Sequence, residues 1–190
     1  FIVIMMYGLV CNAGICKHVS GNGETDNRSI FRIQQDVCGY MWFLTYNGIN
    51  RYDGTSLKHY DLQADNDSID FYSVNSELFI DSKKELWVLT RDGYLLSYNR
   101  SCDRFEGYSD FRKHMEGTFM FLTPDSLDNF WFCSKDELYV CYLPTKAVRR
   151  IQHPFGYITG ILPVGNSQYY LSSDRGVFSF SLLDESITNI

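Results

Sequence analysis

Trp42, Trp87 and Trp131 stand 45 and 44 residues apart, and Tyr170 continues the series after 39 more. Six residues before each tryptophan stands an aspartate, Asp36, Asp81 and Asp125, with Val164 at that place in the fourth unit. Three residues after each aromatic stands a small hydroxyl residue: Thr45, Thr90, Ser134 and Ser173. Three further on stand Gly48, Gly93 and Gly176, with Glu137 as the exception. Anchors that return in register through most of four units identify an internal repeat. A repeat of this length restricts the architecture more than any local propensity does.

Each anchor has a physical reason. An aspartate accepts backbone N–H bonds and closes a turn. The runs that follow it, Tyr-Met-Trp-Phe-Leu-Thr, Glu-Leu-Trp-Val-Leu-Thr and Asn-Phe-Trp-Phe-Cys-Ser, are short and rich in aromatic and aliphatic residues, as buried strands are. The tryptophan offers a large apolar face to the next unit and needs one partner for its indole N–H. The glycine stands where a tight hairpin demands positive φ, as in Tyr46-Asn47-Gly48 and Arg91-Asp92-Gly93. Further strands follow at Gly48–Asp53 and Tyr94–Tyr98, and Asp53-Gly54 turns the chain into 56–61.

About four strands in each unit of roughly 44 residues is the blade of a β-propeller. Leucine-rich and ankyrin repeats are shorter, and helical repeats would show a 3.6-residue period that is absent. The sequence therefore predicts an all-β propeller with blades at about 29–61, 76–108, 118–152 and 157–190, forming the 29–190 region. Four blades lie at the lower limit for closure, so the reading is part of a larger ring. An unfinished ring would leave two open blade faces and favour self-association.

The rest of the composition excludes several classes. The chain has 190 residues, 45% of them apolar and 21% charged, which argues against disorder and against a coiled coil. Its net charge of −6 repels phosphate backbones, so no nucleic-acid partner is expected. Residues 1–16 carry no charge, and Lys17 is the first charged residue. That run is long enough for the core of an export signal and short for a membrane span, with Ala13 and Gly14 at a plausible cleavage point. The basic start of such a signal is missing, so the expectation is an exported chain that lacks its first residues. In that compartment the cysteines would meet oxidising conditions. Cys38, Cys102, Cys133 and Cys141 have irregular spacing and no CxxC pair, so buried free thiols are expected in preference to a disulfide framework.

Candidate chemistry is thin. His18, His59, His114 and His153 lack metal-ligand spacing, and no metal or cofactor is expected. No nucleophile elbow, phosphate loop or His-Glu-x-x-His motif is present. The acid pairs Asp65/Asp67 and Asp81/Glu85 fall in turns or loops and read as solvated or structural. Asp36, Trp42, Gly48, Asp81, Trp87, Gly93, Asp125, Trp131, Tyr170 and Gly176 read as scaffold, and no catalytic residue is assigned. In a propeller the hairpin joining strands two and three shares a face with the connection to the next blade. Those tips carry Tyr46, Asn47, Arg91, Asp92, Lys135, Asp136, Asp174 and Arg175. Of these, Tyr46, Asn47, Arg91, Asp92, Lys135 and Arg175 are the candidate ligand contacts. The longer connections 62–72 and 109–117 lie on the same face. Aromatic rings with Arg, Asn and Asp suit sugar hydroxyls, and Arg or Lys suits acidic sugars.

Residues 30–62 resemble the two-component regulator propeller repeat. The matching positions are Asp36, Gly39, Met41, Trp42, Phe43, Thr45, Gly48, Ile49, Arg51, Tyr52, Asp53 and Tyr60, with Leu44 in place of the usual glycine. The second unit keeps Asp81, Leu86, Trp87, Thr90 and Gly93; the third keeps Asp125 and Trp131; the fourth keeps Ser173 and Gly176. Proteins with such repeats are mostly hybrid two-component sensors of Bacteroidetes-type bacteria. The resemblance implies the N-terminal part of a seven-bladed periplasmic propeller, anchored in the inner membrane through later segments. It further implies an oligosaccharide ligand, a homodimeric receptor, and histidine kinase and receiver modules elsewhere in the protein. A secreted propeller lyase or glycosidase and a passive scaffold that binds a protein partner are the competing readings.

Overall fold

The computed structural model describes residues 29–46, 48–60, 62–64, 67–68, 76–90, 93–108, 120–125, 127–134, 137–165 and 167–190. The uncharged segment 1–16, His18, Asp65 and His114 lie outside them. Every element of the described chain is a strand, and sixteen of these form four antiparallel four-stranded sheets.

Blade one holds β1 (Ile30–Gln35), β2 (Met41–Thr45), β3 (Gly48–Tyr52) and β4 (Leu57–Tyr60). A two-stranded hairpin, β5 (Gln63–Ala64) and β6 (Asp67–Ser68), lies in the connection that follows. Blade two holds β7 (Glu77–Ile80), β8 (Leu86–Leu89), β9 (Leu95–Asn99) and β10 (Arg104–Tyr108). Blade three holds β11 (Met120–Pro124), β12 (Asn129–Cys133), β13 (Glu137–Tyr142) and β14 (Ala147–Gln152). Blade four holds β15 (Ile158–Gly165), β16 (Gln168–Ser173), β17 (Gly176–Ser181) and β18 (Ile187–Asn189). In each blade the strands pair in chain order, which is the meander expected of a propeller. The first strand of each blade is innermost: β1 lies beside β7, and β11 beside β15.

The core is divided into three layers, one at each blade boundary. Strand alternation explains this, because successive side chains point to opposite faces and both faces of an inner blade meet a neighbour. Trp42 of blade one is fully buried and meets Tyr98 at 4.6 Å and Phe105 at 5.8 Å, both in blade two. Phe79 stacks on Phe130 across the next boundary at 4.8 Å. Trp131 meets Tyr169 at 4.6 Å and Phe180 at 6.2 Å across the third. Burying side chains of this size contributes about 1.5–3 kcal/mol each, so these layers hold the blades together.

The fourth unit departs from the other three. Tyr170 keeps the tryptophan's place, three residues before Ser173, and pairs with Ser179. Yet Tyr170 is 43% exposed, while its neighbour Tyr169 is 1% exposed. The tryptophan face of each blade looks toward the following blade, and on blade four that face lies open. It presents Leu162, Val164, Tyr170 and Val177 to solvent. Tyr169 points the other way, into the boundary with blade three.

Candidate functional site

The repeat aspartates do two jobs with one carboxylate. Asp36 Oδ1 accepts the N–H groups of Cys38 and Tyr40, closing the turn between β1 and β2. Its Oδ2 accepts the indole N–H of Trp42 at 2.9 Å. Asp81 accepts the Glu85 N–H and the Trp87 indole at 3.0 Å. Asp125 accepts the N–H groups of Leu127 and Asn129 and the Trp131 indole at 3.2 Å. A six-residue spacing places the carboxylate at the indole N–H edge of the ring because the turn reverses the chain between them.

Two of these carboxylates also bind the next blade. Arg100 of blade two donates to Asp36 Oδ2 at 3.0 Å, and the Tyr169 hydroxyl of blade four donates to Asp125 Oδ2 at 2.7 Å. At the middle boundary Asp128 takes that part, accepting the Ser82 N–H at 2.7 Å. Burial opposes ionisation of Asp36, but hydrogen bonds from Trp42, Arg100 and Tyr40 and the charge of Arg100 outweigh it. Its carboxyl is held below the ordinary range. The aspartate and tryptophan positions are thus occupied by structural duties.

The recurring hydroxyls clamp the hairpins between the second and third strands. Thr45 Oγ1 donates to the Gly48 carbonyl at 3.1 Å, and Ser173 Oγ makes the same bond to Gly176 at 3.4 Å. Thr90 Oγ1 accepts the Tyr94 N–H at 3.0 Å. Gly48 has φ +122, and a Cβ there would lie 2.9 Å from the Tyr60 carbonyl. Only glycine fits that position.

Four of the six expected ligand contacts, Asn47, Arg91, Asp92 and Lys135, lie outside the described residues, as does the neighbouring Asp136. Tyr46 is half-buried, with its ring edge-on to Phe31 at 4.5 Å. It is packed against the inner strand of its own blade. Arg175 is exposed, and its guanidinium donates to the Pro154 carbonyl at 2.8 Å. The hairpin of blade four therefore meets the 152–157 connection, as the shared-face argument expects.

A polar cluster between blades one and two has no signal in the local sequence. Asp103 sits at φ +51 in the turn between β9 and β10. It accepts Arg51 Nη1 at 3.0 Å and the hydroxyls of Tyr60 and Tyr98 at 2.6 Å each, and pairs with Lys58. Arg51 lies over the rings of Tyr40, Trp42 and Tyr60 at 4.7–5.6 Å. Burial raises the two phenols, and their bonds to Asp103 raise them further. Burial works against Asp103 too, but Lys58, both tyrosines and the charge of Arg51 hold it well below the carboxylate range. One carboxylate thus gathers two cations and two phenols from both blades, so the cluster ties blade one to blade two.

The thiols divide evenly. Cys133 and Cys141 are buried, and burial pushes each thiol up to about 12. Cys38 and Cys102 are exposed free thiols, against the expectation that all four would be buried. They lie in the turns that face solvent at the aspartate end of blades one and two. Among the described residues no group of three or more His, Cys, Asp or Glu is placed to hold a metal.

No family model matches the chain, and no curated protein matches it. Solved structures do. The extracellular domain of BT4673 from B. thetaiotaomicron, described as a hybrid two-component system, superposes with a TM-score of 0.62 at 19% identity. The match covers 88% of this chain and 22% of that one. The extracellular domain of BT3049 from the same organism, described in the same way, gives 0.62 at 19% over 86% of this chain and 25% of that one. Virginiamycin B lyase from Staphylococcus aureus gives 0.58 at 13% over 85% of this chain and 55% of that one. Likeness at such identity establishes the shared fold and leaves function to the site. The chain spans between a fifth and a quarter of the length of the two B. thetaiotaomicron domains.

Proposed function

We propose that this chain is a ligand-sensing propeller segment of a hybrid two-component sensor. It would be exported to the periplasm, carried on an inner-membrane receptor, and respond to an oligosaccharide by regulating glycan-use genes. The observation that carries the reading is the likeness, over most of the chain, to the extracellular domains of BT4673 and BT3049. The resemblance of residues 30–62 to the two-component regulator propeller repeat points the same way. The open face of blade four suits further blades of the same ring, and a homodimeric receptor would supply the route for a signal. Within this reading the aspartates, tryptophans and hydroxyls build the scaffold, and specificity resides at the hairpin tips and connections.

The lyase neighbour favours a second reading, a secreted propeller enzyme. Such an enzyme needs acids, His or Tyr converging on a reacting centre. Here the buried aspartates are spent on turns, indoles and neighbouring blades.

The coding sequence that flanks these residues tests the choice. Further repeats of the same spacing followed by a membrane helix and a histidine kinase support the sensor. Flanking blades that complete a His- or Tyr-centred catalytic cluster, with no kinase, overturn it.

A further inference from the structure

We infer that the corner formed by Tyr157, Asp174 and Arg175 in blade four is a binding subsite for a pyranose ring. The inference rests on the oligosaccharide reading above and gives it a place on the molecule.

The corner is built from two loops fastened to each other. Asp174 Oδ1 accepts the Tyr157 N–H at 2.9 Å, and the Asp174 N–H donates to the Tyr157 carbonyl at 3.1 Å. Arg175 Nη1 donates to the Pro154 carbonyl at 2.8 Å, and its backbone N–H donates to Ser173 Oγ at 3.0 Å. Beneath them Phe155 is fully buried, stacked on His153 at 5.0 Å and packed on Phe178 at 4.6 Å. Gly156, at φ +73, allows this approach: a Cβ there would lie 2.2 Å from Asp174 Oδ1 and 3.1 Å from Arg175 Nε. The two polar side chains are thereby held in place before any ligand arrives.

Much of their bonding capacity is left over. Asp174 uses one carboxylate oxygen, and Arg175 uses one guanidinium nitrogen, among the described residues. Tyr157 is 54% exposed, although its backbone is pinned at both ends of the peptide. An exposed ring on a fixed backbone is a platform for the C–H face of a sugar. A carboxylate oxygen accepts two neighbouring hydroxyls, and a guanidinium donates to hydroxyl or ring oxygens in a fixed fork. Ordering costs are small because the corner is already assembled. Asp174 repels a densely anionic group, which points to hydroxyls as the feature read.

The test is isothermal titration of the 190-residue chain with cellohexaose, xylohexaose, maltohexaose and hexagalacturonate. Tyr157→Ala removes only an exposed ring and keeps the pinned backbone. Asp174→Asn and Arg175→Gln probe the polar pair, and Tyr142→Ala on blade three is the control, each checked by thermal melting. The proposal expects one of the four sugars to bind, Tyr157→Ala to weaken it roughly tenfold or more, the polar variants to weaken it, and Tyr142→Ala to leave it unchanged. Binding that survives Tyr157→Ala and Arg175→Gln overturns the subsite and leaves the sensor reading intact. Failure of the unaltered chain to bind any of the four overturns the subsite.

Discussion

Asp125 Oδ2 accepts the indole N–H of Trp131 from its own blade and the hydroxyl of Tyr169 from the next. One buried oxygen thus couples the turn, the blade and the blade boundary. Asn129 also donates to it, at 3.0 Å. Replacing Asp125 with Ala takes the acceptor from these three donors and from the Leu127 and Asn129 N–H groups held by Oδ1. Each such loss costs about 1–3 kcal/mol, but they share one cavity and water can enter, so a total of about 3–4 kcal/mol is expected. Asp125→Asn retains one acceptor and should cost less. Urea unfolding of both variants checks the order; equal stability of Asp125→Ala and the unaltered chain would remove the aspartate from the scaffold.

Arg100 and Asp36 make stability depend on acid. Asp36 is held below its ordinary value of 3.8, so it binds fewer protons folded than unfolded. Its contribution is therefore present above that ordinary value and is lost as pH falls through the lower folded value. Asp103 acts in the same direction. The stability of the chain should be level near neutrality and fall below about pH 4. Arg100→Gln should cost about 1 kcal/mol near pH 7, with the difference shrinking toward pH 2. Denaturant midpoints across that range measure it.

Glycine is required at one turn and missing at another. Gly48→Ala meets the Tyr60 carbonyl and an unfavourable φ, and should destabilise by more than 1 kcal/mol. Lys84 occupies a left-handed position, φ +66, that Gly39 fills at φ +83 in blade one. Lys84→Gly relieves strain but frees the unfolded chain, so a gain of at most about 1 kcal/mol is expected. Thermal melts of the two variants should move in opposite directions.

Thiol reactivity should report the fold. In a variant with Cys11 and Cys16 changed to Ser, Cys38 and Cys102 should react promptly with a disulfide reagent such as DTNB. Cys133 and Cys141, buried and pushed up to about 12, should react only on unfolding. Four equally fast thiols would contradict the buried layers of blade three.

The blade plan was legible because its anchors are local. The six-residue step from Asp36 to Trp42 and the three-residue step from Trp42 to Thr45 both lie within one hairpin, and the pattern returns at each blade. What was hidden is what crosses between blades. The sequence assigns Asp36 to a turn and asks for a partner for the Trp42 indole, but it does not show that the two needs meet. The Asp103 cluster draws on Arg51, Lys58, Tyr60 and Tyr98, which only the packing of blade on blade brings together. Tyr170 matches the tryptophan by spacing, and its exposure follows from the open face of its blade. The proposed corner joins Arg175, which the sequence offers as a hairpin-tip residue, to Tyr157, whose place beside it comes only from a connection fastened to that tip by Asp174.

Phosphate transfer by the full-length product, embedded in lipid nanodiscs, tests the sensor account most directly. The account predicts that labelled phosphate from ATP enters the protein at a rate that one oligosaccharide of a defined set changes, while the sugar is recovered intact. Cleavage of the sugar with no phosphate incorporated would contradict it and make the propeller part of an enzyme.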